Sequence, residues 1–470
     1  MLFNSFEFLV FFVVVTVLYY LLPHRYRWLL LLLASCGFYM AFIPVYILIL
    51  LLTIGIDYVA GIQIEQAAGR RRKQFLVLSL VANLGVLAFF KYYNFFTDNI
   101  NALLDGLHVV RYELPYLYII LPIGLSFHTF QAMSYTIEVY RGNYPAERHL
   151  GIYALYVMFY PQLVAGPIER PQNVLPQFHE EKHFNFDQVV IGLQRMLWGL
   201  FKKVVIGDVL AEYVNSVYNN YEMHSSLSLW LATYAFAGQI YCDFSGYSDM
   251  ALGSAQVMGF KLMENFRMPY FAKSVTEFWR RWHMSLSTWL RDYLYVSLGG
   301  SRLGQLLTYR NLLLTMLLGG LWHGASWNFV IWGGLNGLYL STEKLLGVQV
   351  DRPMSWAGRV GRVALTFHLI CLTWVFFRAT TLEQALYITR HLIEPVREVA
   401  LTTDWGMVAT FGVRVGLLLL VEFAWLRRHR FQELSPAYGW GRPLAVALTL
   451  TLLILTFGVA TGDQFIYFQF

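Results

Sequence analysis

Residues 311–341 read NLLLTMLLGGLWHGASWNFVIWGGLNGLYLS, bounded by Arg310 and Glu343. No residue in this stretch carries a formal charge. A bilayer crossing needs roughly 20 such residues, so the stretch belongs in a membrane. At its middle stands His323, 13 residues past Arg310. That is about 20 Å along a continuous helix, near the centre of a bilayer. An imidazole at such depth is costly without partners, so a functional site is one reading. The other is a histidine that bonds a neighbouring helix. Gly319, Gly320 and Gly324 permit close backbone approach or a break in the helix.

The rest of the chain fits this beginning. Of 470 residues, 57% are hydrophobic and 14% charged. A soluble protein carries about 25% charge, so this many apolar side chains cannot all be hidden inside a globule. Disorder and a nucleic-acid module are excluded, and a soluble enzyme is disfavoured. At about 20 residues per span, the apolar content sets a loose ceiling of about 13 helices. The net charge of +6 is then a matter of topology, because basic residues gather in cytoplasmic loops. Cys36, Cys242 and Cys371 lie far apart in apolar segments. They show neither zinc spacing nor a disulfide framework, and no metal site is expected.

The N-terminal apolar run is preceded by Glu7 and followed by Arg25 and Arg27. It lacks the basic start and small-residue cleavage site of a signal peptide, so a retained first helix is expected. The basic residues after it place its end in the cytoplasm. Two runs, 28–43 and 46–62, are separated by Pro44. The cluster Arg70, Arg71, Arg72 and Lys73 then falls on the cytoplasmic side by the same count. Residues 74–93 return outward, and 94–114 form the next loop. Further spans are read at 115–137, 151–165, 189–205, 227–253, 311–341, 360–377, 408–426 and 443–460. The expectation is an all-α polytopic membrane protein with about 11 crossings, forming a single domain over 1–470. The proline-bearing break at 166–187 reads as a structured loop.

Residues 274–300 are too polar to face lipid and too aromatic to lie in water. Ser274 with Glu277 forms a capping box, and Gly299 and Gly300 suit a terminator. A re-entrant or interfacial helix is expected here, with Trp279, His283 and Ser287 on one face. Its arginines, Arg280, Arg281 and Arg291, also fit a plain amphipathic helix with snorkelling side chains. Asp243 and Asp249 flank Gly246 in an apolar span, where structural bonds to backbone or arginine are expected. His128 and His368 read as packing histidines.

Residues 278–300, FWRRWHMSLSTWLRDYLYVSLGG, and 319–327, GGLWHGASW, resemble signatures of the membrane-bound O-acyltransferases. The resemblance is to the bacterial branch containing the membrane subunit of alginate O-acetylation. Residues 164–172 (VAGPIERPQ), 243–250 and 465–470 (FIYFQF) agree, so it covers essentially the whole chain. The family implies re-entrant helices around a central tunnel in the bacterial inner membrane. It implies an acyl thioester, acetyl-coenzyme A, as a donor substrate from the cytoplasm, with no permanently bound cofactor. The acetyl group then leaves on the outer side for O-acetylation of an exported, alginate-like polysaccharide. The expected partners are membrane lipid, an extracytoplasmic SGNH or esterase-like acetyltransferase, and the polysaccharide export machinery. The resemblance makes His323 the catalytic residue and His283 a second important polar residue.

The chemistry is consistent with these residues. An attacking hydroxyl must lose its proton, and a neutral imidazole accepts one near working pH. The tetrahedral oxyanion needs donors. His283, the indoles of Trp322 and Trp327, and Ser326 are all open choices for contacts at the tunnel. Arg280, Arg281, Arg291, Arg302 and Arg310 cluster around the two motifs and suit donor phosphates, though positive-inside anchoring explains them equally. The aromatic tail, Phe465 to Phe470, reads as a membrane belt. Alternatively Tyr467 relays the acyl group, as in the tyrosine-bearing peptide tail of teichoic-acid D-alanylation systems. Transfer to peptidoglycan, teichoic acid, a lipid or a small alcohol stays open. A secondary transporter is the alternative of a different class, but the inverted repeats that it needs are not seen.

Overall fold

The computed structural model describes residues 1–107, 113–164, 166–350, 352–394, 404–425 and 431–459. Helices dominate, and no strand occurs among the described residues. In chain order the α-helices are α1 (Phe6–Leu21), α2 (His24–Met40), α3 (Ile47–Gln66), α4 (Gly69–Leu107), α5 (Leu125–Arg141), α6 (Leu150–Met158), α7 (Tyr160–Leu163), α8 (Pro171–His179) and α9 (Phe186–Phe201). They continue as α10 (Asp208–Tyr218), α11 (Ser226–Val257), α12 (Val275–Trp279), α13 (Met284–Trp289), α14 (Gln305–His323), α15 (Trp327–Leu345), α16 (Trp356–Arg378), α17 (Leu382–Ile393), α18 (Trp405–Trp425) and α19 (Gly441–Phe457).

Pro44–Gln66, Gly69–Leu107 and Trp356–Arg378 are long and apolar enough to cross a membrane by length and composition. The outward faces of α1, α3 and α4 carry exposed Leu9, Val13, Leu48, Leu52, Leu78 and Val81. So broad an apolar surface would drive association in water, and lipid is its natural solvent. Several expected spans are interrupted helices instead of single crossings. Residues 151–165 break at Phe159 between α6 and α7, and 115–137 becomes helical only at Leu125. The expected loop after residue 93 is helix as far as Leu107. The proline-bearing loop at 166–187 contains α8.

The chain clusters into two compact units. The first comprises Met1–Phe184, Met258–Leu262 and Gly324–Ser326. Inside it Asp57, fully buried on α3, accepts hydrogen bonds from Ser79 Oγ at 2.6 Å and Asn83 Nδ2 at 2.9 Å, both on α4. A buried carboxylate is tolerable only with partners of this kind.

The second unit comprises Asn185–Val257, Met263–His323 and Trp327–Phe470. Its α9 and α11 pack backbone to backbone. A methyl group added at Gly192 or Gly199 would meet the carbonyl of Gly253 or Gly246 at 2.8 or 2.5 Å. Small residues allow such approach, which is how helices associate where lipid removes the hydrophobic drive. Past α9 the chain makes a π-helical turn, Lys202–Gly207. It delivers two buried lysines to α11. Lys202 meets Asp249 at 2.6 Å, which Arg195 also holds at 2.9 Å, and Lys203 lies between Asp243 (2.5 Å) and Asp208 (2.8 Å). Asp243 and Asp249 therefore have the structural role expected of them, with lysines as well as arginine for partners. His368 bonds the Tyr234 hydroxyl at 2.9 Å and faces the Ala364 carbonyl at 2.7 Å, as a packing histidine does.

Candidate active site

The uncharged stretch at 311–341 folds as a helical hairpin. Helix α14 runs unbroken to His323, its last residue, and α15 starts at Trp327. Gly320 and Gly333 decide how close the two arms come. A Cβ at Gly320 would lie 2.2 Å from the Phe329 carbonyl oxygen, and one at Gly333 would lie 2.3 Å from that of Met316. His323 thus stands where the hairpin turns, 5% exposed. Aromatic rings surround it: Trp322 at 4.9 Å, Trp332 at 5.0 Å and Phe377 at 5.4 Å between centroids.

One side of His323 opens into a cavity of about 930 Å³. Leu312, Thr315, Met316, Gly319 and His323 follow one face of α14 along its wall. Because α15 returns antiparallel, Trp332 lies beside His323 while Leu340, Glu343 and Lys344 lie toward the Leu312 end. The lining also includes Arg280, Arg291 and Arg352. Among the described residues, four cationic side chains thus line this cavity with one carboxylate, Glu343. That carboxylate is engaged elsewhere. It accepts from Val275 N at 2.5 Å and from Thr276 N and Oγ1 at 2.9 and 2.7 Å, which caps α12. Pockets for drug-sized ligands run to about 1,000 Å³, so an extended substrate fits this volume.

The second motif departs from its expected form. Ser274 Oγ caps α12 by accepting from Glu277 N at 3.0 Å, as the sequence pattern predicts. The helix nevertheless stops at Trp279 and resumes at Met284, then continues as a π-helical turn over Leu290–Tyr295. At the break His283 has φ +42°, a left-handed backbone that few residues other than glycine adopt. Trp279, His283 and Ser287 therefore do not share one helical face, which corrects the sequence reading. Asn265 holds the break. Its backbone carbonyl accepts from Met284 N at 2.9 Å. Its side-chain Oδ1 accepts from Ser285 Oγ at 2.9 Å and faces His283 Nδ1 at 3.1 Å. An amide oxygen only accepts, so this contact puts the proton of a neutral His283 on Nδ1. His283 is fully buried, beside Phe244 and Trp322, and is not among the residues lining the cavity.

The other expected site residues separate in space. Arg280 and Arg291 line the cavity, and Arg291 also bonds Asp292 at 2.6 Å. Arg281 pairs with Glu277 at 2.5 Å instead. Arg302 is exposed and Arg310 bonds Asn311 Oδ1 at 2.9 Å, and neither is a lining residue. Trp322 is buried with its ring against both histidines. Trp327 is 53% exposed and does not line the cavity, and neither does Ser326, which groups with the first unit. Tyr467 lies outside the described residues. Trp332, Leu290, Lys344, Arg352 and Asn265 were not singled out from sequence. A second tryptophan five residues past Trp327 was the available signal for Trp332. Nothing local marked Asn265, 18 residues before His283.

Comparison with known proteins identifies the family. Residues 16–380 match the model of the membrane-bound O-acyltransferase family. The probable alginate O-acetylase of Pseudomonas putida is 44% identical over 487 residues, 96% of each chain. Its counterpart in Pseudomonas aeruginosa is 44% identical over 392 residues, covering 82% of this chain and 73% of the relative. The peptidoglycan O-acetyltransferase of Helicobacter pylori is 33% identical over 486 residues, 94% of this chain and 91% of that protein. The chain is an acyltransferase and belongs to the membrane-bound O-acyltransferase family.

Proposed function

We propose that this protein transfers acetyl groups from acetyl-coenzyme A, taken from the cytoplasm, to a hydroxyl acceptor on the outer side of the bacterial inner membrane. The end product is an O-acetylated exported polysaccharide of the alginate type. One observation carries the reading: His323, walled by aromatic rings, opens onto a cavity that also holds Arg280, Arg291, Lys344 and Arg352. The cations suit the phosphates of coenzyme A, and guanidinium groups bind phosphate in bidentate fashion. The pantetheine arm then follows the α14 face toward His323. The acceptor oxygen attacks the thioester carbonyl carbon while His323 takes its proton. Collapse of the tetrahedral intermediate breaks the C–S bond, and the proton leaves with the thiol. The ring takes its positive charge at the C-terminal end of α14, where helix carbonyls favour a cation.

The alginate acetylase relatives favour a polysaccharide acceptor over peptidoglycan, since their identity is higher than that of the peptidoglycan enzyme. An extracytoplasmic esterase-like acetyltransferase would complete the transfer alongside the export machinery. Tyr467 is the proposed acyl relay in that hand-over; mass spectrometry of trapped enzyme would detect acyl-Tyr467, and full activity in Tyr467→Phe would dismiss the relay. The function itself is tested by measuring ester-linked acetate on each surface polymer of a deletion strain. Loss from an exported polysaccharide, restored by the wild-type gene, is expected. Loss confined to peptidoglycan or teichoic acid would overturn the acceptor assignment.

A further inference from the structure

A second cavity, of about 370 Å³, lies within the second unit and shares no lining residue with the His323 cavity. α11 walls it with Tyr241, the turn Pro269–Phe271 with Phe271, α16 with Val363 and Phe367, and α18 with Val415 and Leu419. No charged residue is among the described lining, and its polar side chains are tyrosines. Two of their hydroxyls are engaged: Tyr234 bonds His368 at 2.9 Å, and Tyr270 donates to the Ala237 carbonyl at 2.7 Å. A buried water needs two to four polar partners, so an apolar occupant suits this space better. Phe271 and Leu419 are 42% and 43% exposed, so the cavity opens at this rim onto the apolar outer surface. Lipid is the natural solvent of such a surface.

Cations gather at one end of this cavity. α16 begins at Trp356, and exposed Arg359 stands one turn before Val363 on the same side of the helix. Helical side chains lean toward the N-terminus, so Arg359 reaches past the end of the cavity toward the start of α16. Arg362 Nε donates to the Lys273 carbonyl at 2.9 Å, and Lys273 Nζ donates to the Val350 carbonyl at 2.9 Å, which brings both cations to that end. Carbonyls are neutral, so both positive charges remain for an anion to meet. Lys344, Arg352, Arg359 and Arg362 all fall between the end of α15 and the first turns of α16, a bias that marks the cytoplasmic side. We propose that this cavity seats an acyl chain of an anionic phospholipid from the cytoplasmic leaflet, with the phosphate held by Arg359, Lys273 and Arg362. Basic pockets between membrane helices on that side suit anionic headgroups. A second copy of the chain matches the rim poorly, because a two-fold pairing would set one basic rim against another.

The test titrates the purified full chain in detergent with phosphatidylglycerol and, separately, with phosphatidylcholine of the same chains, and reads bound lipid by native mass spectrometry. Wild-type protein should retain one phosphatidylglycerol about 10-fold more tightly than phosphatidylcholine. Arg359→Gln, an exposed change that leaves packing alone, should weaken phosphatidylglycerol about fivefold, and Arg359→Lys should restore most of the loss. Val415→Phe fills the cavity from α18 and should weaken phosphatidylglycerol about 10-fold or more, the worth of about two buried methylenes. Val363→Phe fills it from the opposite wall and serves in its place if that variant does not fold. Equal retention of the two lipids, or phosphatidylglycerol affinity within about twofold of wild type in Arg359→Gln, overturns the phosphate seat and the proposal with it. Unchanged affinity in a folded cavity-filling variant overturns the acyl-chain seat. A wild-type dimer that ignores added lipid and is lost in Val415→Phe assigns the cavity to a second copy and likewise overturns the proposal.

Discussion

Replacing Gly320 with alanine sets helix propensity against packing. Propensity alone predicts a gain, because alanine in a helix interior is about 1 kcal/mol better than glycine. The structure predicts a loss. The new Cβ would sit 2.2 Å from the Phe329 carbonyl oxygen and 3.2 Å from Gly333 Cα. Both neighbours are backbone of the facing helix, so no side chain can swing aside. Restoring ordinary contact at about 3.5 Å requires the arms of the hairpin to part by roughly 1 Å. Overpacking of this kind costs about 1–3 kcal/mol. His323 is three residues from Gly320 and Trp332 is next to Gly333, so the separation displaces one wall of the cavity against the other. A misplacement of about 1 Å lowers a reaction rate on the order of 100-fold. The assay is acetyl transfer by purified variant and wild type, normalised to folded protein by size-exclusion chromatography in detergent. Gly334→Ala is the control on the facing helix, away from the cavity lining, where the added methyl meets only the end of the Leu317 side chain at 3.5 Å. Gly320→Ala with activity within about threefold of wild type would refute the claim that hairpin spacing positions His323.

Other consequences are measurable in the same preparation. Arg280→Ala combined with Arg291→Ala should raise the KM for acetyl-coenzyme A about 10-fold, with kcat nearly unchanged, since exposed cations at a phosphate give uniform binding; added salt should weaken wild-type binding and affect the double variant less. Asn265→Ala removes the acceptor shared by His283 Nδ1 and Ser285 Oγ. Each orphaned buried group costs about 1–3 kcal/mol, which a thermal-unfolding scan should show as a drop of several degrees. Lys203→Met leaves Asp243 and Asp208 buried beside each other without their cation, a loss of about 3–5 kcal/mol that should appear as failed accumulation in the membrane.

Much of the site was readable because its rules are local. His323 stood out through the uncharged run around it, and the adjacent glycines announced a close approach or a break. The start of α12 was legible from Ser274 and Glu277, whose bond depends on three-residue spacing. The break at His283 was not legible. It exists because Asn265, in a distant loop, satisfies the groups that a continuous helix would have paired internally. The sequence reading grouped Arg280, Arg281, Arg291, Arg302 and Arg310 around the motifs, yet of these five only Arg280 and Arg291 line the cavity. Which way an arginine points depends on partners such as Glu277 and Asn311, and spacing alone does not encode them. Lys344 and Arg352 join the lining because α15 folds back along α14, a consequence of Gly320 and Gly333 in combination.

The central claim is that His323 is the general base of an acyl transfer within this cavity. Its most direct test is the single-turnover rate of acetyl transfer by His323→Ala in nanodiscs, with acetyl-coenzyme A binding measured on the same sample. General-base catalysis is worth about 10²–10⁴-fold, so the rate should fall at least 100-fold while thioester affinity stays within about threefold. A variant that binds the thioester and transfers acetyl at a rate close to wild type would contradict the account.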